Sequence, residues 1–275
     1  MAANGIADDY TPDVLRSLSA FTLFLALAAC DTVQETGRRR LLFTSPQEEQ
    51  ALGIQAYAEE TGKYKTITGT KDAGMVARVA TRIAQAAEKG GHKFPWEFKL
   101  LDAPDVANAF CLPGGKIAVY TGILKITQNE DALAVVVGHE VAHATARHGG
   151  ERMGYAGIQD KLMTGLQAGL SLSKMGEGVK SGVLTALNAG ANVAVLLPFS
   201  RSHESEADEI GLRFAIRAGY DPYQAPMLWE RMAKLGSSGP AWLSTHPDSG
   251  DRAQRLRELT PRILLEEGRA KDIKK

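Results

Sequence analysis

Asn129-Glu130-Asp131-Ala132-Leu133-Ala134-Val135-Val136-Val137-Gly138-His139-Glu140-Val141-Ala142-His143 is the stretch that decides how this chain is read. Asn129 is a good helix N-cap, and Glu130 and Asp131 complement the positive end of the helix dipole. The apolar run behind them predicts a helix from Asn129 to about His148 that stops at Gly149-Gly150. On such a helix His139 and His143 stand one turn apart and only about 40° apart around the axis. Two imidazoles so placed can share one tetrahedral zinc at about 2.0–2.1 Å. Glu140, about 100° further round, reaches a water at the metal rather than the metal itself. The pattern therefore supplies two ligands and a general base; its bland alternative is a pair of surface or core histidines. His148, nine residues from His139, projects about 180° away and is expected at the surface near the helix C-terminus.

A catalytic zinc needs a third protein ligand. The candidate lies in Ser202-His203-Glu204-Ser205-Glu206-Ala207-Asp208-Glu209-Ile210-Gly211. Projected as a helix, Glu204, Ala207, Asp208, Gly211 and Ala215 share one face, and Glu206, Glu209, Arg213 and Arg217 share the opposite, charged one. A carboxylate on the small-residue face is costly to bury unless it meets a cation. Glu204 is thus the ligand candidate, and Glu206 is expected in solvent. Asp208, one turn on, is placed either to hold the outer nitrogen of a zinc-bound histidine or to pair with a cation such as Arg201. His203 is expected at the periphery, with a role in orienting substrate as its alternative.

Four motifs in order, Asn108 to Leu124, His139 to His143, Ser200-Arg201 with Glu204 to Asp208, and Thr245-His246-Pro247 with Arg252, resemble the metallopeptidases of the HtpX, BepA and Oma type, peptidase family M48. The likeness covers about Ser45 to Leu259. It implies one Zn2+ held by His139, His143 and Glu204, Glu140 as general base, Asp208 as a supporting residue, and polypeptide substrates. It also implies that Ile117, Ala118, Val119 and Tyr120 form a strand that lines the cleft and pairs with extended substrate. For His246 it leaves two roles, oxyanion stabiliser or fourth ligand on a loop that covers the metal, beside a plain loop histidine. Arg252 either neutralises charge at the site or lies on a helix surface. The implied activity is that of a zinc metalloendopeptidase acting on misfolded or envelope proteins. The rivals are a chaperone-like or self-capped polypeptide binder on the same fold, and a helical lipoprotein without metal.

With 275 residues and 44% hydrophobic content, the chain can bury a substantial core. Lys plus Arg and Asp plus Glu stand at 32 each, so net charge gives no reason to expect nucleic acid as a partner. The apolar run from Phe21 ends in Leu27-Ala28-Ala29-Cys30, which resembles a bacterial lipobox. Residues 1–29 then read as a signal peptide, Cys30 as the lipidated residue and residues 30–44 as a tether from the membrane, facing periplasm or exterior. Asp31 after the cysteine resembles an inner-membrane retention signal of enteric bacteria. Asp8, Asp9 and Asp13 are out of place in a signal n-region, whereas translation from Val14 or Leu15 would open with Arg16 and the apolar run. The competing reading is an apolar helix with a core cysteine.

The expected organisation is a metallopeptidase domain over residues 45–260 and a charged tail over 261–275 that frays. Ser45-Pro46-Gln47-Glu48 is a capping box, opening a helix whose apolar positions are Ala51, Ile54, Tyr57 and Ala58. Further helices are expected over Ala73 to Lys89, Arg201 to Ala218 and Ala225 to Lys234, a strand over Trp96 to Asp102, and a hairpin from Asn108 to Tyr120 turning at Pro113-Gly114-Gly115. The uncharged run from Ser181 to Ser200 reads as a buried or amphipathic helix, with a membrane span as its alternative. The fold class is α+β, predominantly helical and zincin-like, with the HExxH helix beside a small sheet.

Overall fold

Four polar side chains open four of the helices. Ser45 accepts from Glu48 N, Thr70 from Ala73 N, Asn129 from Ala132 N and Ser200 from His203 N, so an orphan first-turn donor is satisfied in each. In this computed structural model, which describes residues 30–157, 200–235, 241–246 and 250–274 with Thr164 and Gly178, the elements run β1 (Cys30–Thr32), β2 (Arg39–Leu41), α1 (Pro46–Thr61), β3 (Thr66–Ile67), α2 (Lys71–Lys89), β4 (Glu97–Leu101), β5 (Ala109–Leu112), β6 (Lys116–Tyr120), α3 (Thr121–Thr127), α4 (Glu130–Thr145), α5 (Arg201–Arg217), α6 (Gln224–Ala233), α7 (Ala241–Thr245) and α8 (Arg252–Glu266). The fold is mostly helical with two small sheets, as the sequence predicts. The expected signal peptide and the run from Ser181 to Ser200 lie outside the described residues, apart from Ser200 itself.

Helix α4 forms the centre. Every residue from Ala132 to Thr145 except Val135 is buried, which is the signature of a helix covered on all sides. Helices α2, α5 and α6 and strand β5 pack around it. Its contact with α5 is the tightest: a Cβ on Gly138 would lie 2.8 Å from Gly211 O, and one on Gly211 would lie 2.7 Å from His139 N. Two facing glycines let the helix backbones touch, and this brings the first turns of α5 against the His139–His143 turn of α4.

The four-stranded sheet has the order β3-β4-β6-β5, with β4 and β6 parallel and the other pairs antiparallel. The expected hairpin is present. Its second strand, however, is not the edge: Ile117, Ala118, Val119 and Tyr120 pair with Phe98–Leu101 on one side and with β5 on the other. A strand with both edges paired has no backbone groups left for a substrate, and among the described residues the unpaired sheet edge beside α4 is that of β5, Ala109–Leu112.

Other expectations are corrected by packing. The helix expected to end at Gly149-Gly150 breaks earlier, where Ala146 caps α4 and Arg147 takes φ 54°, and helix resumes over 148–157. Gly150 is no stop signal; a Cβ there would lie 2.0 Å from Glu49 Oε1. Helix α1 buries Glu49, Gly53, Tyr57 and Thr61 and leaves Ile54 47% exposed. Arg147 Nη2 draws the Glu49 carboxylate inward at 2.8 Å, and Tyr57 Oη donates to Ile117 O, so polar contacts choose the face. The expected tether of residues 30–44 is instead packed: β1 pairs with β2 and Val33 is fully buried. Helix α8 runs through Pro261 to Glu266 and buries Ile263 and Leu264, so the first turn of the segment expected to fray is packed into the core.

An alanine at position 211 would gain about 1 kcal/mol of helix propensity and pay an overpacking penalty of about 1–3 kcal/mol. The expected net result of Gly211→Ala is a loss of stability in urea unfolding, with a matching fall in bound metal. A variant at least as stable as the parent would refute the close approach.

Candidate metal centre

The glycine crossing and the segment around α7 together bring four donor atoms to one point. His139 Nε2 and His143 Nε2 are 3.0 Å apart. Glu204 Oε2 lies 3.3 Å from His139 Nε2, and Glu204 Oε1 lies 3.2 Å from His143 Nε2. His246 Nδ1 stands 3.2 Å from His139 Nε2 and 3.0 Å from Glu204 Oε1. The edge of a tetrahedron with bonds of about 2.0–2.1 Å is about 3.4 Å, close to all these separations. Three imidazole nitrogens and a carboxylate at such distances are held together either by shared protons or by one cation that all four face. The donor set therefore fits a zinc-sized metal. All four residues are buried.

The outer nitrogens are held as well. His139 Nδ1 lies 3.1 Å from Asp208 Oδ1, while Asp208 also accepts from Arg252 Nε at 2.7 Å, Arg252 Nη2 at 2.6 Å and Arg255 Nη2 at 2.6 Å. Arg252 Nη1 donates to Glu204 Oε2 at 2.9 Å, and its guanidinium lies 3.7 Å above the Trp229 ring. Of the two readings for Arg252, burial against both carboxylates selects charge neutralisation. Asp208 meets both of its own alternatives at once, a histidine and a cation, although the cation is Arg252 rather than Arg201. Glu140 Oε1 accepts from the Trp242 indole Nε1 at 2.5 Å and lies 3.3 Å from His246 Nε2.

Burial and charge set the protonation of the metal-free centre. Burial works against a charged His139, but Glu204 and Asp208 outweigh it and push the ring up to about 9. Burial, reinforced by the neighbouring imidazoles, holds His143 well below its ordinary value. Glu204 is buried too, yet His139, His143 and His246 hold its carboxyl far below the usual range. For Asp208 burial is overcome by Arg252 and His139, and the carboxyl falls to about 2. Cys111 is a free, buried thiol on β5, raised well above its ordinary value by burial and by Glu140.

Two residues assigned to solvent are not there. His148 is fully buried, with Nδ1 2.9 Å from His143 Nδ1 and Nε2 2.9 Å from Glu206 Oε2. The turn at Ala146-Arg147 swings it back onto α4, which a continuous helical projection misses. Glu206 is only 7% exposed because Thr36 and Arg38 of the β1–β2 loop cover it. His203, expected at the periphery, is buried as well, stacking on His148 with ring centroids 4.4 Å apart and lying 3.3 Å from Glu151. Sequence reading assigned no role to Arg38, Glu151 or Trp242. Only Trp242, four residues before His246, carried a local signal that could have found it.

A buried helix bearing His139-Glu140-Val141-Ala142-His143, a glutamate donor from a later helix and a small adjacent sheet define a zincin-type metallopeptidase. The profile of Peptidase family M48 matches residues 70–260, and the chain belongs to that family. It is 37% identical over 232 residues to mitochondrial metalloendopeptidase OMA1 of Schizosaccharomyces pombe, covering 82% of this chain and 65% of the relative. It is 32% identical over 246 residues to mitochondrial metalloendopeptidase OMA1 of Bos taurus, covering 83% and 46%. With the beta-barrel assembly-enhancing protease of Escherichia coli it shares 29% identity over 242 residues, covering 84% and 49%. The chain thus spans roughly half to two thirds of the length of these relatives.

Because His139 takes up a proton with a value of about 9 in the metal-free protein, metal entry must displace it. Metal affinity is expected to rise about tenfold per pH unit between pH 7 and 9, with release of about one proton per metal. Chelator competition across that range, and calorimetry in buffers of different ionisation enthalpy, measure both quantities; a pH-independent affinity would contradict the placement of Glu204 and Asp208 against His139.

Proposed function

We propose that this chain is a zinc-dependent endopeptidase whose metal is held by His139, His143 and Glu204, with Glu140 as general base. The observation that carries this reading is the convergence of three donors from α4 and α5 within 3.3 Å of one another, beside a carboxylate that takes no part in the donor cluster. Zinc bound there supplies Lewis acidity, polarising the scissile carbonyl and lowering the pKa of water. Glu140 removes the proton of the attacking water and returns it to the leaving amine. Asp208 and Arg252 fix the His139 ring and the Glu204 carboxylate by hydrogen bonds, so the donors stay aimed inward.

The substrate groove follows from the sheet. Tyr120 N donates to Asn108 O, and by antiparallel alternation Phe110 and Leu112 also face β6 with their backbone groups. Cys111 N–H and the carbonyls of Ala109 and Cys111 then point away from the sheet, unpaired among the described residues and oriented for an extended peptide. This assigns peptide pairing to β5, with Ile117 to Tyr120 as the layer behind it.

A second observation favours a resting form that is covered. Trp242 N donates to Ala107 O at the end of that same edge, the Trp242 indole occupies Glu140, and His246 sits among the donors. Helix α7 and His246 therefore stand where substrate and water belong, which supports His246 as a capping fourth ligand that leaves when substrate enters. The self-capped alternative and the enzyme are then two states of one protein.

Location and substrates rest on the sequence. The lipobox-like Leu27-Ala28-Ala29-Cys30 supports lipid attachment at Cys30 and an envelope location, with misfolded or envelope proteins as substrates. Asp31 has a structural partner of its own, since Arg40 Nη2 donates to it at 2.8 Å. Among the described residues no helix is long and apolar enough to cross a membrane.

With casein as substrate, Glu140→Gln is expected to lose on the order of 10²–10⁴-fold in rate while still binding zinc. His246→Ala is expected to cleave faster than the parent. Equal rates for parent and Glu140→Gln would remove Glu140 as the base, and a slower His246→Ala would make His246 a transition-state group rather than a cap. Intact-mass measurement of the membrane fraction should show a lipid adduct that Cys30→Ala lacks, and a Cys30 without adduct would rule out the anchor.

A further inference from the structure

The reading of His143 as a zinc ligand, on which this inference rests, leaves a question of proton placement. A ring that ligates through Nε2 must carry its hydrogen on Nδ1. That hydrogen faces His148 Nδ1 at 2.9 Å, so His148 Nδ1 must accept, and the hydrogen of His148 must sit on Nε2. There it meets Glu206 Oε2 at 2.9 Å, a carboxylate that only accepts. The chain of donors runs one way, from His143 through His148 to Glu206.

Glu206 is itself fixed from outside the two central helices. Thr36 Oγ1 donates to its Oε1, and Arg38 Nε donates to its Oε2 at 2.6 Å. The two remaining faces of the Arg38 guanidinium grip Glu151 at 2.9 and 2.5 Å, so the arginine cannot turn away without breaking two carboxylate contacts. Val33, fully buried, anchors the loop that carries both Thr36 and Arg38, and backbone bonds from Val33 N to Arg38 O and from Gly37 N to Val33 O close it.

We infer that Glu206 and His148 are positioning residues that fix the metal-binding tautomer of His143, and that the β1–β2 loop, through Thr36 and Arg38, completes this support. Without an acceptor at Glu206, His148 is free to carry its hydrogen on Nδ1. His143 must then accept at Nδ1 and carries its own hydrogen on Nε2, aimed into the donor cluster where the metal belongs. The segment just after Cys30 is in this way part of the metal site, and loss of the loop loosens the metal rather than merely the N-terminus.

The test is zinc affinity of the full chain, by competition with a chelating fluorophore at pH 7, for Glu206→Leu, Glu206→Gln and Arg38→Ala. Outer partners of metal-bound histidines are worth about 10–100-fold in affinity, so Glu206→Leu is expected to weaken binding by that factor and Arg38→Ala by a smaller one. Glu206→Gln should stay within about threefold, because its amide oxygen accepts the same hydrogen from His148. In the cobalt-substituted protein, proton NMR should show the exchangeable, metal-shifted Nδ1–H signal of His143 in the parent and in Glu206→Gln, and lose or broaden it in Glu206→Leu. Arg38 is partly exposed, so its variant tests the idea even if Glu206→Leu does not fold. Parent-like affinity in a folded Glu206→Leu or Arg38→Ala overturns the inference, as does a Glu206→Gln as weak as Glu206→Leu. A parent protein that takes up no zinc overturns the metal reading itself, and this inference with it.

Discussion

The contact between Gly138 of α4 and Gly211 of α5 is the constraint on which the site depends. With any side chain at either position the two helices must separate, because a Cβ there would stand within 3 Å of the opposite backbone. Only at this spacing do the two histidines of α4 and the glutamate of α5 meet within 3.3 Å. The short reach of Glu204 makes the crossing distance, rather than the motif alone, the determinant of a three-donor centre. Covering α4 on every side serves the same end, since a helix that cannot shift keeps its ligands in register.

Around the crossing the protein buries charge and pairs it. Glu204 and Asp208 are answered by Arg252 and His139, and Glu206 and Glu151 by Arg38 with His148 and His203. Unpaired, each buried carboxylate would cost several kcal/mol; paired, it orients a ring. Two independent supports result, one behind His139 from α8 and one behind His143 from the β1–β2 loop. The first depends on Arg252, close to the C-terminal end of the matched family region, and the second on a loop that lies before it, so residues from both flanks of the core converge on adjacent ligands.

Under the proposed reading, the segment at 241–246 is the cover of this centre. The Trp242 indole donates to Glu140 and His246 Nδ1 stands among the donors of α4 and α5, whereas strand β5 lies beside α4. That division of labour, a rigid buried centre and a local cover, suits a peptidase that must not cut every chain it meets.

The sequence by itself determined what depends on neighbours along the chain: the caps at Ser45 and Asn129, the hairpin at Pro113-Gly114-Gly115, the turn-by-turn spacing of His139 and His143, and Glu204 over Glu206 as the donor candidate. Helical periodicity fixes those relations before any packing occurs. Only the tertiary structure decided that His148 turns inward, because the break at Arg147 resets the helical phase, and that Glu206 is buried, because a loop some 170 residues earlier lies over it. It likewise decided that β5 rather than β6 is the edge, since β4 arrives from elsewhere in the chain to occupy the other side. A face of a helix or strand is written in its own residues, but what covers that face is set by segments far away in sequence, and burial is what turned these side chains from solvent groups into parts of the site.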